Sequence, residues 1–262
     1  MPAPRLRSRA DRSQRHAERD PLRRVPVIAV DANGADLGPA EVAAGATIAA
    51  QQGVRVLLFG PAAELGDAGP GIEVIDAPMS IAKDANPAAS ARANPEASIV
   101  RAATAVASGD ADALVSAGAT GTALAASLFH VKRDRGILRP AIAAQLPVPG
   151  APVTLLDVGA NTEVRAEHLV QFAFMGSALA QVVHGVPRPR VALLSIGEEA
   201  SRGTQVVRDV HSRLSALPDL NFVGNVEGHA LTEGRAKPPP RSTGARRAAV
   251  GRRGRPEPAR SP

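Results

Sequence analysis

Short aliphatic runs that stop on an acid, a hydroxyl or an amide beside glycine, and then feed a helix, recur along this 262-residue chain and limit what it can fold into. The plainest spans Asp112 to Leu128. There Ala113-Leu-Val-Ser116 reads as a short strand, Gly118 and Gly121 mark a loop, and an Ala/Leu-rich helix follows. A strand that feeds straight into a helix leaves backbone N–H groups unpaired at the helix start. Those donors, the helix dipole and the hydroxyls of Ser116, Thr120 and Thr122 suit a phosphate or a carboxylate. The same glycines suit an ordinary tight turn, and the residues alone leave both readings open.

Order is expected from Val25. Residues 25–30 form a buried-strand pattern that ends at Asp31, and Pro39 stands where it can open a helix over 40–52. Asp31 and Asp36 flank the turn at Gly34, on the edge where open parallel sheets bind ligands. They either position a substrate or metal, or cap the helix and brace the turn. Strands follow over 54–59 and 72–75, then a broken polar stretch over 77–97, then a helix over 95–108 with Asn94 as its cap. Further strands are expected over 141–146, 153–157 and 191–196, with helices over 166–183 and from Ser201 to about Leu217. Three of the later strand ends are again polar: Asp157-Val-Gly-Ala-Asn161, Gly197-Glu-Glu199 and Gly224-Asn-Val-Glu-Gly228. Such alternation predicts an α/β fold with a doubly wound, mostly parallel sheet.

Composition narrows the chemistry. With no Cys, the chain has no disulfide, no thiolate metal site and no cysteine acyl-enzyme, which is compatible with a reducing cytoplasm. With no Trp, no Tyr and five Phe, the core must be built from small and branched aliphatics. The net charge of +6 is uneven: residues 1–24 carry +5 and residues 235–262 carry +8, leaving −7 on residues 25–234. The body is acidic and the ends are basic, a pattern of solvated tails or of loose binding to nucleic acid or anionic lipid. No apolar run approaches the ~18 residues of a membrane span, and the Arg-rich start lacks the apolar centre of a secretory signal. His16, His130, His184, His211 and His229 stand apart from other ligand residues, so no metal site is expected. The first strand–helix unit lacks Gly-x-Gly-x-x-Gly, which weighs against dinucleotide binding, and no cofactor is called for.

Six loops in order carry a family likeness: Asp31-Ala-Asn-Gly-Ala-Asp36, Ser116-Ala-Gly-Ala-Thr-Gly121, Leu155-Leu-Asp-Val-Gly-Ala-Asn161, Glu167-His-Leu-Val-Gln-Phe-Ala173 with Met175-Gly176, Ile196-Gly-Glu-Glu199 and Asn225-Val-Glu-Gly228. Over about residues 27–234 the chain resembles the PlsX family of bacterial phosphate acyltransferases. The resemblance implies a Rossmann-like α/β/α sandwich that moves a fatty acyl group from acyl carrier protein to inorganic phosphate. The acyl phosphate would supply a downstream glycerol-3-phosphate acyltransferase and so phospholipid synthesis. It also implies a cytoplasmic homodimer with peripheral contact at the inner membrane, and no specific nucleic acid. The departures are Asn33 and Ala35 in a loop that usually reads Asp-Ala-Met-Gly-Gly-Asp, and Ala119 where the family has an amide. Ala91-Arg-Ala-Asn-Pro-Glu-Ala-Ser98 stands where a basic stretch ending in paired serines is usual, and Arg202 where Lys is frequent. Beyond Gly228 the family continues with another strand and terminal helices, whereas residues 235–262 read as a disordered Arg/Pro-rich tail, as a frameshift would produce. The domain plan is therefore a basic leader over 1–24, an incomplete acyltransferase domain over 25–234, and the tail.

Phosphate attacking a thioester needs a dianion held beside the carbonyl and donors for the developing oxyanion. Ser116, Gly118, Thr120 and Gly121, with Asp31, Gly34 and Asp36, are the candidates for binding. Arg202 or Lys132 adds charge, Asn161 or an N–H near Gly159 faces the oxyanion, and His168 serves as acid or base. Asp157, Glu198, Glu199, Asn225 and Glu227 complete the candidate set, with at least one of the paired glutamates orienting Arg202. Asp157 as a turn brace and His168 as a helix-start contact are the structural alternatives. The competing functions are another α/β anion-binding enzyme, such as a phosphotransacetylase, and an inactive fragment whose basic tail binds nucleic acid or lipid.

Overall fold

The computed structural model describes residues 25–148 and 152–232; the leader over 1–24, the tail over 235–262 and part of the expected Pro147–Pro152 turn lie outside the described residues. Two compact units divide the chain after Pro140. In the first, four parallel strands run in the order β3-β2-β1-β4, with β1 Val27–Asp31, β2 Arg55–Gly60, β3 Ile72–Asp76 and β4 Ala113–Ser116. Helices α1 Pro39–Gln51, α2 Ala62–Leu65, α3 Pro87–Ala93 and α4 Ser98–Ser108 connect them, and α5 Thr120–Ala126 follows β4.

Period-two alternation sorts the side chains of this sheet onto two covered faces. Val30, Val56 and Leu58 pack with Ala43, Ala46 and Leu65 of α1 and α2. Val27, Ala29 and Phe59 point the other way, onto Ala102 of α4. Alanines on both faces, among them Ala43, Ala46 and Ala102, fill this core where aromatic volume is scarce. Asp31 ends β1 on the α4 side, and this parity decides which residues it meets.

The second unit holds β5 Ala143–Leu146 and β6 Val153–Leu156 as an antiparallel pair, and β7 Val191–Leu194 and β8 Phe222–Val226 as a parallel pair. Its helices are α6 Ala166–His184, α7 Gln205–Ser215 and α8 Gly228–Thr232. Val210 and Leu214 of α7 are buried with Ala166 and Leu220 in this unit's core. Among the described residues, no helix is long and apolar enough to cross a membrane.

The doubly wound α/β expectation holds, and several local readings are corrected. Asn94 does not cap a helix over 95–108: α4 starts at Ser98 behind Ala97, and Asn94 ends α3, its Nδ2 donating to the Ser90 carbonyl at 2.9 Å. The polar stretch over 77–97 hides α3, opened by Pro87 and capped by Asn86, whose side chain accepts from the Ala89 N–H at 3.1 Å. The helix expected from Ser201 begins at Gln205, with the Thr204 hydroxyl as its cap. The helix after β4 changes to a π-helical turn over Ser127–Val131.

Leu58 is fully buried at the centre of the first sheet. Leu58→Ala is expected to cost about 2–5 kcal/mol, since a strand flanked on both faces cannot collapse into the space left. A urea titration of the variant against the parent checks this.

Candidate functional site

Asp31 is the centre of the first unit's polar cluster. Being 3% exposed, its carboxylate needs partners, and it has three. The Ser98 hydroxyl donates to Oδ1 at 2.6 Å, the Ser116 hydroxyl to Oδ2 at 2.8 Å, and the Asn33 N–H to Oδ1 at 3.3 Å. Burial pushes the Asp31 carboxyl above its ordinary value, and the bonds from Ser98, Ser116 and Asn33 oppose that rise. Ser98 sits at the first position of α4 and Ser116 at the last of β4, so one carboxylate ties together three elements.

The Ser116 hydroxyl also accepts from the Gly118 N–H at 3.1 Å, which starts the loop expected to seat an anion. Its hydroxyl is therefore engaged within the protein, donating to Asp31 and accepting from Gly118, on a half-buried residue. Thr122 is buried at 3%, with no hydrogen-bond partner for its hydroxyl among the described residues. Thr120 and Gly121 remain exposed, and no described group accepts from their N–H groups. Gly121 packs on Pro87, whose Cγ would lie 3.4 Å from an added Cβ.

The Asp31–Asp36 loop closes against this one. Gly34 has φ +108°, and a Cβ there would come within 2.5 Å of the Ala82 Cβ, so only glycine fits. A Cβ on Gly118 would lie 3.5 Å from the Gly34 carbonyl oxygen, which places the two loops in contact. Asn33, a departure from the family pattern, has a task here: its Nδ2 donates to the Pro78 carbonyl at 2.9 Å and so ties the loop to the segment after β3. Asp36 is exposed, and α1 has Gly38 at its N-cap with no side-chain cap bond, so Asp36 does not cap that helix.

In the second unit Asp157 has φ +58° and braces its own turn. Its Oδ1 accepts from the Ala160 N–H at 2.9 Å and its Oδ2 from the Asn161 Nδ2 at 3.0 Å. Gly159, at φ +127°, completes that turn. His168 is buried at 9% and its Nδ1 accepts from the Arg165 N–H at 3.2 Å, which closes the start of α6.

Glu199 and Arg202 form an exposed pair, Nε to Oε2 at 3.5 Å, as the orienting role requires, while Glu198 is exposed. Their turn wraps over Gly197, where a Cβ would meet the Arg202 Cγ at 2.9 Å. Asn225 lies within β8 rather than in the loop that the sequence suggested, and it is 6% exposed. Its Nδ2 donates to the Glu199 carbonyl at 3.0 Å, and its Oδ1 lies 2.9 Å from the His211 Nδ1. Because the amide nitrogen is committed to a carbonyl, Oδ1 is the acceptor and His211 carries its proton on Nδ1. Glu227 pairs with His229, Oε2 to Nδ1 at 3.4 Å.

Sequence reasoning missed Ser98 and His211. Ser98 opens a helix after an alanine, which looks like a cap; only strand parity shows that it meets Asp31. Nothing local marks His211, fourteen residues from its partner.

A family model described as fatty acid synthesis protein matches residues 26–237. The chain belongs to this family. A curated relative named phosphate acyltransferase from Desulforudis audaxviator is 43% identical over 212 residues, covering 79% of this chain and 63% of the relative. Another of that name, from Heliobacterium modesticaldum, is 44% identical over 218 residues, covering 80% and 65%. The chain thus spans a little under two-thirds of the length of these fatty acid synthesis family relatives. Among solved structures, a branched-chain phosphotransacylase from Enterococcus faecalis superposes with a TM-score of 0.56 at 18% identity, over 81% of this chain and 75% of that one, a likeness of fold.

Two measurements test this geometry. A carboxyl whose folded pKa lies above its unfolded value holds its proton more tightly when folded. Its burial then costs most at high pH, and the cost is relieved as pH falls through the folded value. The Asp31 contribution to stability should therefore decline as pH rises from the ordinary Asp value, 3.8, through the raised folded value. In Asp31→Asn this contribution disappears, so the variant gains on the parent as pH rises, in urea titrations at a series of pH values. Ala119 caps α5 at φ −62° and ψ 126° with no side-chain bond. Restoring the family's amide, Ala119→Asn, is expected to add about 1 kcal/mol by capping an open N–H, visible as a raised Tm.

Proposed function

We propose that the chain carries the larger part of an acyltransferase that moves a fatty acyl group from acyl carrier protein to inorganic phosphate. The single observation that supports it most is the family match over residues 26–237, with relatives named phosphate acyltransferase. The reaction needs no protein nucleophile: a phosphate oxygen attacks the thioester carbonyl, the C–S bond breaks, and the thiol leaves with a proton. The protein's share is to seat the dianion and to stabilise charge.

In this reading the exposed N–H groups of Thr120 and Gly121 seat the phosphate, with Gly34 and Gly118 keeping the adjoining backbone close. Asp31 acts through Ser116 and Ser98 as a positioning residue, since a buried anion would repel phosphate if it faced it. In the second unit Arg202, oriented by Glu199 whose carbonyl Asn225 holds, is the candidate cation of its own loop, and Asn161 and His168 are positioning residues of their own segments. Asp36, Asp157, Gly159, Glu198 and Glu227 support their loops. The product feeds glycerol-3-phosphate acylation. The working form is a cytoplasmic homodimer with peripheral membrane contact, and the chemistry needs neither cofactor nor metal.

The test is acyl phosphate formation, trapped with hydroxylamine, from acyl carrier protein thioesters with and without phosphate. It is run on this chain and on the longer Heliobacterium modesticaldum relative. Phosphate-dependent product, reduced at least tenfold in Arg202→Ala, is expected. Faster turnover of an acetyl thioester than of a long-chain one would favour a phosphotransacetylase instead. Melting unmoved by phosphate, with no product from either protein, would overturn the assignment.

A further inference from the structure

Past the π-helical turn the chain enters a segment unlike the rest of the acidic body. Residues 132–139 carry Lys132, Arg133, Arg135 and Arg139 against Asp134, a net +3; without them the remainder of residues 25–234 stands at −10. This segment lines a groove of about 680 Å³ within the first unit. Its floor includes Phe129 and Ile137, both half-buried, and Leu138, which is 45% exposed. Its rim includes Lys132, Arg135 and Arg139, all exposed, and none has an ion-pair partner among the described residues. Lys132 has φ 72° and ψ 167°, a backbone conformation that disfavours any side chain, and it turns the chain out of the helix into the rim. Arg92 stacks 4.1 Å from the Phe129 ring centroid and holds the floor in place from α3.

From this juxtaposition we infer that the 128–140 groove is the docking surface for an acidic, amphipathic protein helix. A groove lined by Phe129, Ile137 and Leu138 together with Lys132, Arg135 and Arg139, against the one carboxylate Asp134, matches a helix with an apolar stripe bordered by carboxylates. Concavity decides between the two anionic partners available. A groove admits a protruding element, whereas a flat anionic leaflet would have to meet a whole face of a body that is otherwise strongly acidic. Electrostatic screening acts over about 8 Å at physiological ionic strength, so a helix seated in the groove feels the rim cations far more than the distant acids. The partner is identified with the donor of the proposed reaction, the acyl carrier, and this identification rests on that reading; the groove's charge and shape do not.

The experiment titrates the full chain into dye-labelled acyl carrier protein and follows anisotropy at several salt concentrations. Arg135→Glu/Arg139→Glu is expected to weaken binding at least tenfold and to flatten its salt dependence. The milder Arg135→Gln/Arg139→Gln should show an intermediate loss with an unchanged melting curve. Reversal in the basic tail, Arg252→Glu/Arg253→Glu, should leave the affinity in place. Loss on tail reversal but not on groove reversal overturns the inference. So does a groove reversal that abolishes sedimentation with phosphatidylglycerol vesicles while sparing the carrier. Turnover of a small-molecule acyl thioester by the groove variants should match the parent. A chain that binds carrier through the groove yet makes no acyl phosphate fails the proposed function alone; one that turns over carrier equally well after groove reversal fails the docking surface alone.

Discussion

One buried carboxylate organises the first unit. Asp31 closes β1, receives the hydroxyl of the first residue of α4 and the last of β4, and through Ser116 fixes the start of the loop that follows. Remove it and Ser98, 1% exposed, and Ser116 each lose the acceptor that makes their position tolerable. The hydrophobic alternation of β1 places the carboxylate there: Val27 and Ala29 face α4, so the fifth residue of the strand must face it too. An aliphatic side chain at that position would complete the core without any desolvated charge. That an acid occupies it, with burial outweighing its hydrogen bonds, indicates geometry rather than stability as its use.

The second unit reaches a similar end by another route. There, among the described residues, no buried carboxylate stands beneath the loop after β7, and the fixing group is the neutral amide of Asn225. Glycine at 197 lets the Arg202 stem fold over the turn, and Asn225 holds the turn's backbone from the neighbouring strand. A neutral brace leaves the exposed Glu199–Arg202 pair electrostatically free of a buried anion. Such an exposed pair contributes little to stability, so its value lies in where it keeps the guanidinium.

The strands and most helices were legible because short Val/Leu/Ile runs, Pro at helix starts and Gly at their ends are local signals. Val27–Asp31, Ala113–Ser116 and Ala166–His184 fall within a residue or two of where pattern alone put them. The misreadings were also local. Asn94-Pro95 offers the same cap signal as Asn86-Pro87, and only packing chooses between them. In the site, the loops could be listed by their glycines and acids, but the direction of each hydroxyl could not. Ser116 and Thr122 point inward because β4 pairs with β1 and α5 packs on its neighbours, facts of register that no single stretch contains.

The same logic explains why the groove at 128–140 was invisible. In line, Lys132 and Arg133 simply follow His130 and Val131 at the end of a helix, where basic residues are ordinary. The helix has already given way to a π-helical turn by Ser127, and Lys132, its C-cap at φ 72°, breaks direction, so the cations beyond it belong to the loop. Arg133 alone turns back onto its own loop, donating to the Ile137 and Leu138 carbonyls, and by doing so it shapes the segment that presents Arg135 and Arg139. A cation that stabilises its own loop and three that remain on the rim, Lys132, Arg135 and Arg139, are different uses of one run of charge. The run persists in a body that is elsewhere acidic because the loop's fold, and not the helix before it, decides where each guanidinium goes.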